Sequence, residues 1–451
     1  MKKTLIRLGA PFLTILFSIL LMTYVSSLAD PDLGDSAFHL YRAAMLLTAF
    51  MALSAFLLDQ GKGIRLQSMI LALAVLSSCG CTIQFLLGNI RSHLVYQILF
   101  MAVSAAVFLF LAGRCGVSSF LFGLGAGTTV LLLLLNYFLG SAPPGGYTTA
   151  RLWIFIGGVS IQPGEIIKIL LIFLGASSYR RWQRCAVSFA LCLVSCLVLL
   201  KLSDMGNAAV IFLLLVVQVF YLLDSWKLAL LLVSGAFAAF AWLIRHSAYA
   251  SARLANWGHA MEKPGGVHQQ ADLLEAIVFG GLIKGVGVEK AGSLKAIYAI
   301  DSDMALGALL AVFGAGILFV VLGAYVILIW QAAGNQSVYP FSHLVLVQAS
   351  MLIFAQVFLN FGGSIDLIPF TGITAPLLSL GGSSMVCFGA LTGMCFAAEC
   401  PALKSVDSTA RETENVDILS GLFRLGRDYL KAAVLRLKEV ICTVRKKDTE
   451  N

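Results

Sequence analysis

The longest polar interruption in this sequence runs from Arg245 to Asp303, and chemistry is expected there. It carries Arg245, Arg253, Glu262, Lys263, Asp272, Glu275, Lys284, Glu289, Lys290, Lys295, Asp301 and Asp303, with three of the six histidines, His246, His259 and His268. Lys263-Pro-Gly-Gly and Phe279-Gly-Gly-Leu-Ile-Lys-Gly-Val-Gly287 read as turns, and Val267 to Val278 between them as a short helix. So long a connection, rich in ionisable groups, is more often functional than structureless. Arg253, Lys263 and Lys284 are among its cations. Each of these charges alone is by default a solvated rim residue.

Three shorter constellations join it. In Gln162-Pro-Gly-Glu165-Ile-Ile-Lys168, Pro163 opens a helix at a position that needs no donor. Glu165 and Lys168, three apart, share a face and can pair. Two readings stay open for them: a neutralised pair locking two helices, or the lining of a polar cavity. Lys201-Leu-Ser-Asp204-Met-Gly206-Asn207 stands at another helix start. Asp204 is placed to cap it, Gly206 permits close approach, and Lys201 adds positive charge. Finally, Gln356 and Asn360 lie one turn apart, ahead of Pro369, Pro376, Ser379 and Gly381-Gly-Ser383-Ser384. Those prolines and glycines imply a broken or re-entrant helix, tolerated at membrane depth only where it lines a cavity. Ser383 and Ser384, at a helix start, suit an anionic headgroup.

The elements around these residues are membrane spans. The 451 residues are 59% hydrophobic and 12% charged, about half the charge of a soluble chain. About twelve runs approach the roughly 20 apolar residues that a crossing needs: Ala10–Leu28, Tyr41–Leu58, Leu66–Leu87, Leu94–Ala112, Ser118–Leu139, Glu165–Ala176, Cys185–Leu200, Gly206–Leu223, Leu228–Ile244, Met304–Trp330, Leu344–Asn360 and Leu377–Ala398. The opening Met-Lys-Lys-Thr-Leu-Ile-Arg is read as the start of an uncleaved first helix. Positive charge at Lys2, Lys3 and Arg7, at Lys62 and Arg65, at Arg180-Arg181-Trp-Gln-Arg184 and in the tail puts both termini in the cytoplasm and the Arg245–Asp303 loop outside. In residues 416–447, Ile418, Leu422, Leu425, Tyr429, Val434, Leu437 and Ile441 recur at helical spacing among Arg and Lys. This is a basic amphipathic helix that suits adhesion to membrane lipids, with docking of a partner as the other reading; no nucleic-acid partner is expected. The ten cysteines show neither a disulfide framework nor metal-ligand spacing. The fold class is thus an all-α polytopic membrane protein.

Taken in order, these stretches resemble the SEDS family (shape, elongation, division and sporulation; the RodA, FtsW and SpoVE type). The family has Gln-Pro-Ser-Glu-x-x-Lys after Arg-Trp-Ile, Asp-Leu-Gly at a helix start, a long outer loop ending in Thr-Asp, and Pro-x-x-Ser-x-Gly-Gly-Ser-Ser. The counterparts here are Gln162-Pro-Gly-Glu-Ile-Ile-Lys168, Asp204-Met-Gly206, Ser302-Asp303 and Pro376-Leu-Leu-Ser-Leu-Gly-Gly-Ser-Ser384. Gly164 replaces the Ser, Arg151 stands one place off in Arg151-Leu-Trp-Ile, and Ala311-Val312 stand where the family has a Glu pair.

The resemblance implies a helical bundle with two extra spans within residues 1–140, a core at 141–402 containing the outer loop 245–303, and a cytoplasmic tail at 403–451. It implies a peptidoglycan glycosyltransferase in the bacterial cytoplasmic membrane, polymerising lipid II outside and releasing undecaprenyl pyrophosphate. A class B penicillin-binding protein is the implied partner, and a divalent cation, Mg2+ or Mn2+, the implied helper. Aligning the family's catalytic Asp puts Glu262 in its place and Gln269 at the following Gln. Arg151, Gln162, Glu165, Lys168, Lys201, Asp204, Arg253, Lys263, Gln269, Lys284, Asp303, Gln356, Asn360, Ser379, Ser383 and Ser384 are the expected substrate-binding set. The rival readings are a scaffold without activity that holds a synthase partner, and a transporter of lipid-linked precursors.

Overall fold

A computed structural model describes residues 2–29, 34–58, 64–112, 118–142, 150–157, 159–246, 248–262, 269–334 and 340–399. The expected tail helix and Lys263 lie outside the described residues. Five helices come first: α1 Lys2–Leu28, α2 Asp35–Leu58, α3 Ile64–Leu86, α4 Ile90–Ala112 and α5 Ser119–Leu139. Next comes a small antiparallel hairpin, β1 Ile154–Ile156 with β2 Val159–Ile161, pairing Phe155 with Ser160. Then follow α6 Pro163–Ala176, α7 Trp182–Lys201, α8 Met205–Leu223, α9 Trp226–His246, α10 Ala248–Asn256, α11 Gln269–Gly280, α12 Ala305–Phe313, α13 Ala315–Ala333, α14 Pro340–Ser364 and α15 Gly382–Glu399. Two 3-10 segments, Ala260–Glu262 and Val288–Ala296, lie in the long loop. The β hairpin departs from the all-α expectation, although its β-branched and aromatic residues suit a strand.

Among the described residues, ten helices are long and apolar enough to cross a membrane. The other two of the twelve expected runs fall on α6 and α15. At 14 residues α6 is only about 21 Å long, while α15 has 18 residues. At the centre stands α3, whose crossing segment is 94% buried; that of α4 is 22% buried. Since lipid tails offer no hydrophobic drive between helices, α1, α2 and α3 are pinned by hydroxyls. Ser78 lies 2.8 Å from Ser18 and 3.0 Å from Thr48, and Tyr41 lies 3.0 Å from Thr82.

One expected span is corrected. Met304–Trp330 is not a single crossing, because the chain breaks at Gly314, where φ is +71° and ψ −169°. A side chain there would collide with the Ile283 carbonyl. The crossing is α13 alone, and α12 is a short helix buried along its length from Ala305 to Val312. Leu282 accepts from the Ala315 amide at 2.7 Å, and Ala311 accepts from the Val286 amide at 2.8 Å. The turn Phe279–Gly287 therefore wedges between α12 and α13. The expected short helix is present as α11.

Candidate functional site

The ends of α3 and α14, the start of α6, the Arg245–Asp303 loop and the stretch before α15 meet at one end of the bundle. Gln162 begins there. Its side chain makes no cap bond, yet Pro163 and Gly164 start α6, and its backbone amide donates to Ser383 Oγ at 3.1 Å. One turn into α6, Lys168 Nζ donates to Glu165 Oε1 at 2.7 Å, with Lys168 only 1% exposed. The pairing read from the i, i+3 spacing is thus realised, and neither charge is left uncompensated in a site where that would be costly.

Asp204 caps α8. Its Oδ1 accepts from the Asn207 amide at 3.0 Å and its Oδ2 from Asn207 Nδ2 at 2.8 Å. Burial raises the Asp204 carboxyl, while the bonds from Asn207 and the charge of Lys168 pull it back. Gly206 lets the 371–373 stretch lie against α8: a Cβ there would come within 2.7 Å of Ile373 and 2.9 Å of the Thr371 carbonyl. Gly164 faces Asn207 in the same way, at 3.2 Å, so the small residue standing where the family has Ser leaves room for the amide. Two buried polar atoms here, Asn207 Oδ1 and Thr371 Oγ1, have no hydrogen-bond partner in the protein.

The opposite wall is built by Asn360 of α14. Its Nδ2 donates to the carbonyls of Asp303 at 2.9 Å and Ile373 at 2.7 Å, and its Oδ1 accepts from the Leu306 amide at 3.3 Å. This one buried amide ties the loop end, the start of α12 and the broken segment before α15 together. Ser379 donates to the Ser302 carbonyl and accepts from the Ala375 amide at 2.8 Å. Ser384 and Thr374 hydroxyls meet at 2.8 Å. The run 365–381 is non-helical, as its prolines and glycines imply, and buried or half-buried apart from Leu367. Gln356 is buried one turn below Asn360.

Asp303 is half-buried, with the Gly372 backbone against its carboxylate. Burial, helped by the charges of Asp301, Asp204 and Glu165 and opposed by Arg253, pushes its carboxyl up to about 7. A Cβ on Gly164 would stand 3.6 Å from Asp204 Oδ2 and one on Gly372 3.2 Å from Asp303 Oδ2, so the start of α6 and the 371–373 stretch lie close to these carboxylates around one polar floor. Arg253, on α10, donates to the Phe370 carbonyl at 2.7 Å, which brings the loop cation over the broken segment.

The remaining expected residues stand elsewhere. Glu262 is 73% exposed and pairs with His259 at 3.2 Å. Its segment is docked by Asp366, which accepts from the Gly258 and Ala260 amides at 3.1 Å each. Arg151, Lys201 and Lys284 are exposed and no contact brings them to the floor. Gln269 is half-buried at the start of α11, whereas its neighbour Gln270 is buried and donates to the Gly363 carbonyl at 2.6 Å.

Sequence reasoning missed several residues. Gln84 donates to the Asp301 and Leu378 carbonyls, and Asn89 to Asp301 Oδ2 at 2.9 Å. Gln218 of α8 donates to the Leu171 carbonyl of α6 and to Gln348 of α14 while accepting from Ser188 of α7, fixing α6 from below. Their signal was a lone amide inside an apolar run, which at membrane depth marks a helix contact. Among the described residues no group of three or more His, Cys, Asp or Glu side chains is assembled to hold a metal ion.

The sequence profile of the FtsW/RodA/SpoVE group, described as "Cell cycle protein", matches residues 64–400. The chain belongs to this family. It is 29% identical over 259 residues to the probable peptidoglycan glycosyltransferase FtsW of Bacillus subtilis (strain 168), a match covering 52% of this chain and 64% of the relative. A Halorhodospira halophila protein of the same name is 28% identical, with 54% and 65% covered. The matches therefore span slightly less than two thirds of these relatives' length. Stage V sporulation protein E of B. subtilis is 30% identical over 260 residues, covering 52% of this chain and 68% of that one. Among solved structures, a chain from work described as "Structural coordination of polymerization and crosslinking by a peptidoglycan synthase complex" superposes with a TM-score of 0.57 at 22% identity, covering 77% of this chain and 98% of that chain. That likeness is one of fold. This family member is a multi-pass helical membrane protein, and α1 and α2 precede the matched residues.

Proposed function

We propose that this protein is a peptidoglycan glycosyltransferase that polymerises lipid II at the outer face of the cytoplasmic membrane, with both termini inside. The observation that carries the reading is the polar floor. Glu165, Asp204 and Asp303 gather with Lys168 and Arg253 at one end of an apolar bundle, beneath a long loop with a further carboxylate, Glu262. A lipid-linked substrate needs this layout, with tails in the bilayer and headgroup chemistry at its edge. The relatives named peptidoglycan glycosyltransferases support it.

In the proposed reaction a sugar hydroxyl of one lipid II attacks the anomeric carbon of another. The new C–O bond forms as the bond to pyrophosphate breaks, and the electron pair leaves with the pyrophosphate. Glu262 takes the hydroxyl proton, and Arg253 faces the anion that departs. Because Glu262 is exposed in this conformation, its role requires the substrate to cover it and lift its basicity. Asp303 is the second candidate base, favoured by its half-buried site and its titration near neutrality. A Mg2+ or Mn2+ ion, when bound, would supply positive charge to the pyrophosphate. The floor binds the headgroup through Gln162, Asp204, Asn360, Ser379, Ser383 and Ser384. A class B penicillin-binding protein is the proposed partner. Incubation of purified protein with labelled lipid II and assay of glycan strands separates the polymerase from the scaffold and transport rivals, which make no strands.

A further inference from the structure

Among the described residues outside the spans, a strongly exposed run of large apolar side chains lies where α11 ends. Val278 is 73% exposed, Phe279 78%, Leu282 64% and Ile283 83%. Such a run in water is unfavourable, and contiguous exposed apolar surface marks an interaction site. The backbone fixes its height. Leu282 accepts from the first residue of α13, Ala315, and Ile283 packs on Gly314. With 19 residues, α13 is about 28 Å long, against a hydrocarbon thickness of about 30 Å. This crossing has no turn to spare, so Ala315 must sit at the edge of the hydrocarbon. Leu282 and Ile283, beside it, sit at the same level.

We infer that Val278, Phe279, Leu282 and Ile283 form a ledge that inserts into the bilayer leaflet at this end of the bundle, anchoring the long loop to the lipid surface. The chemistry around the ledge fits a lipid interface. Lys284 and Lys290 are exposed beside it, with Glu289 the single acid in that stretch. Lys290 Nζ stands 5.4 Å from the Phe279 ring centroid, so its stem follows the apolar surface and its ammonium is left at phosphate level. On α13 itself Phe319, one turn in, is 71% exposed, which makes the ledge continuous with a lipid-facing surface. The glycines at 280, 281, 285 and 287 bend the chain out to the ledge and back to α12. The consequence is positional: α11 and the loop that carries Glu262 are held at the headgroup layer. The inference stands independently of the reaction.

Its test is site-specific photo-crosslinking of the full chain in nanodiscs of phosphatidylethanolamine and phosphatidylglycerol. Benzoylphenylalanine is introduced in place of Phe279, Ile283, Ser293 or Phe319, all exposed, so the fold tolerates each. After irradiation, lipid adducts are expected at 279 and 283 in yields comparable to 319, with none at 293. Lipid adducts at 319 but not at 279 or 283 would overturn the ledge. So would protein adducts replacing lipid at 283 in intact cells, which would assign the surface to a protein partner.

Discussion

Two carboxylates compete for the same role at the scale of single residues, and their environments separate them. Glu262 is solvated and paired with His259, while Asp303 is half-buried among Asp301, Asp204 and Arg253. If Glu262 is the base, Glu262→Gln lowers lipid II polymerisation by about 10²–10⁴-fold with little change in lipid binding. Glu262→Asp retains part of the activity, and Glu275→Gln, on the exposed face of α11, is mild. A full-rate Glu262→Gln enzyme beside an inactive Asp303→Asn enzyme would move the role to Asp303. Asp303 also makes a prediction about stability. Its carboxyl is raised from 3.8 to about 7 by folding, so between those values the native state holds a proton that the unfolded state has lost. Stability is therefore lost as pH rises from about 4 through 7. Asp303→Asn should melt above the parent at pH 8, with the gap narrowing toward pH 4; a pH-independent gap in thermal melts contradicts the assignment.

At the scale of elements, the spans were legible because hydrophobic runs and their caps are local. Pro163, Asp204 and Gly206 announced the starts of α6 and α8, and Glu165 with Lys168 announced a pair. The break between α12 and α13 was hidden, because a single Gly in an apolar run looks like any other membrane glycine. Only the approach of Ile283, 31 positions earlier in sequence, makes it obligatory. Gly314 holds φ +71° and ψ −169°, a region open essentially to glycine alone, where another residue costs about 1–3 kcal/mol. Gly314→Ala should destabilise by at least that amount, since the added methyl also meets the Ile283 carbonyl. Gly316→Ala, with open space around it, should be near neutral. Equal melting temperatures for the two variants would remove the break as a structural requirement. The hub residue Asn360 was read as a polar face of its helix. That it bridges three segments depends on long-range folding, which no local pattern encodes.

For the whole molecule, charge asymmetry indicated the orientation, and the fold places the expected outer connections together at one end. Gln84, Asn89, Gln162, Arg253 and Asp366 all bond across them. A cysteine in place of Ser293, exposed in that loop, should react with an impermeant thiol reagent in intact cells; protection there would invert the topology. The floor's residue set was partly legible, through motifs in order, whereas exposed Arg151, Lys201 and Lys284 show that a motif position does not by itself place a side chain. The account rests on the floor serving glycosyl transfer, and one measurement bears on it most directly. Purified full-length protein, reconstituted in lipid with labelled lipid II, is expected to convert it into glycan strands that a muramidase digests, and to release undecaprenyl pyrophosphate. Lipid II left intact by a folded, membrane-inserted protein that still binds a synthase partner would contradict the account and establish the scaffold reading.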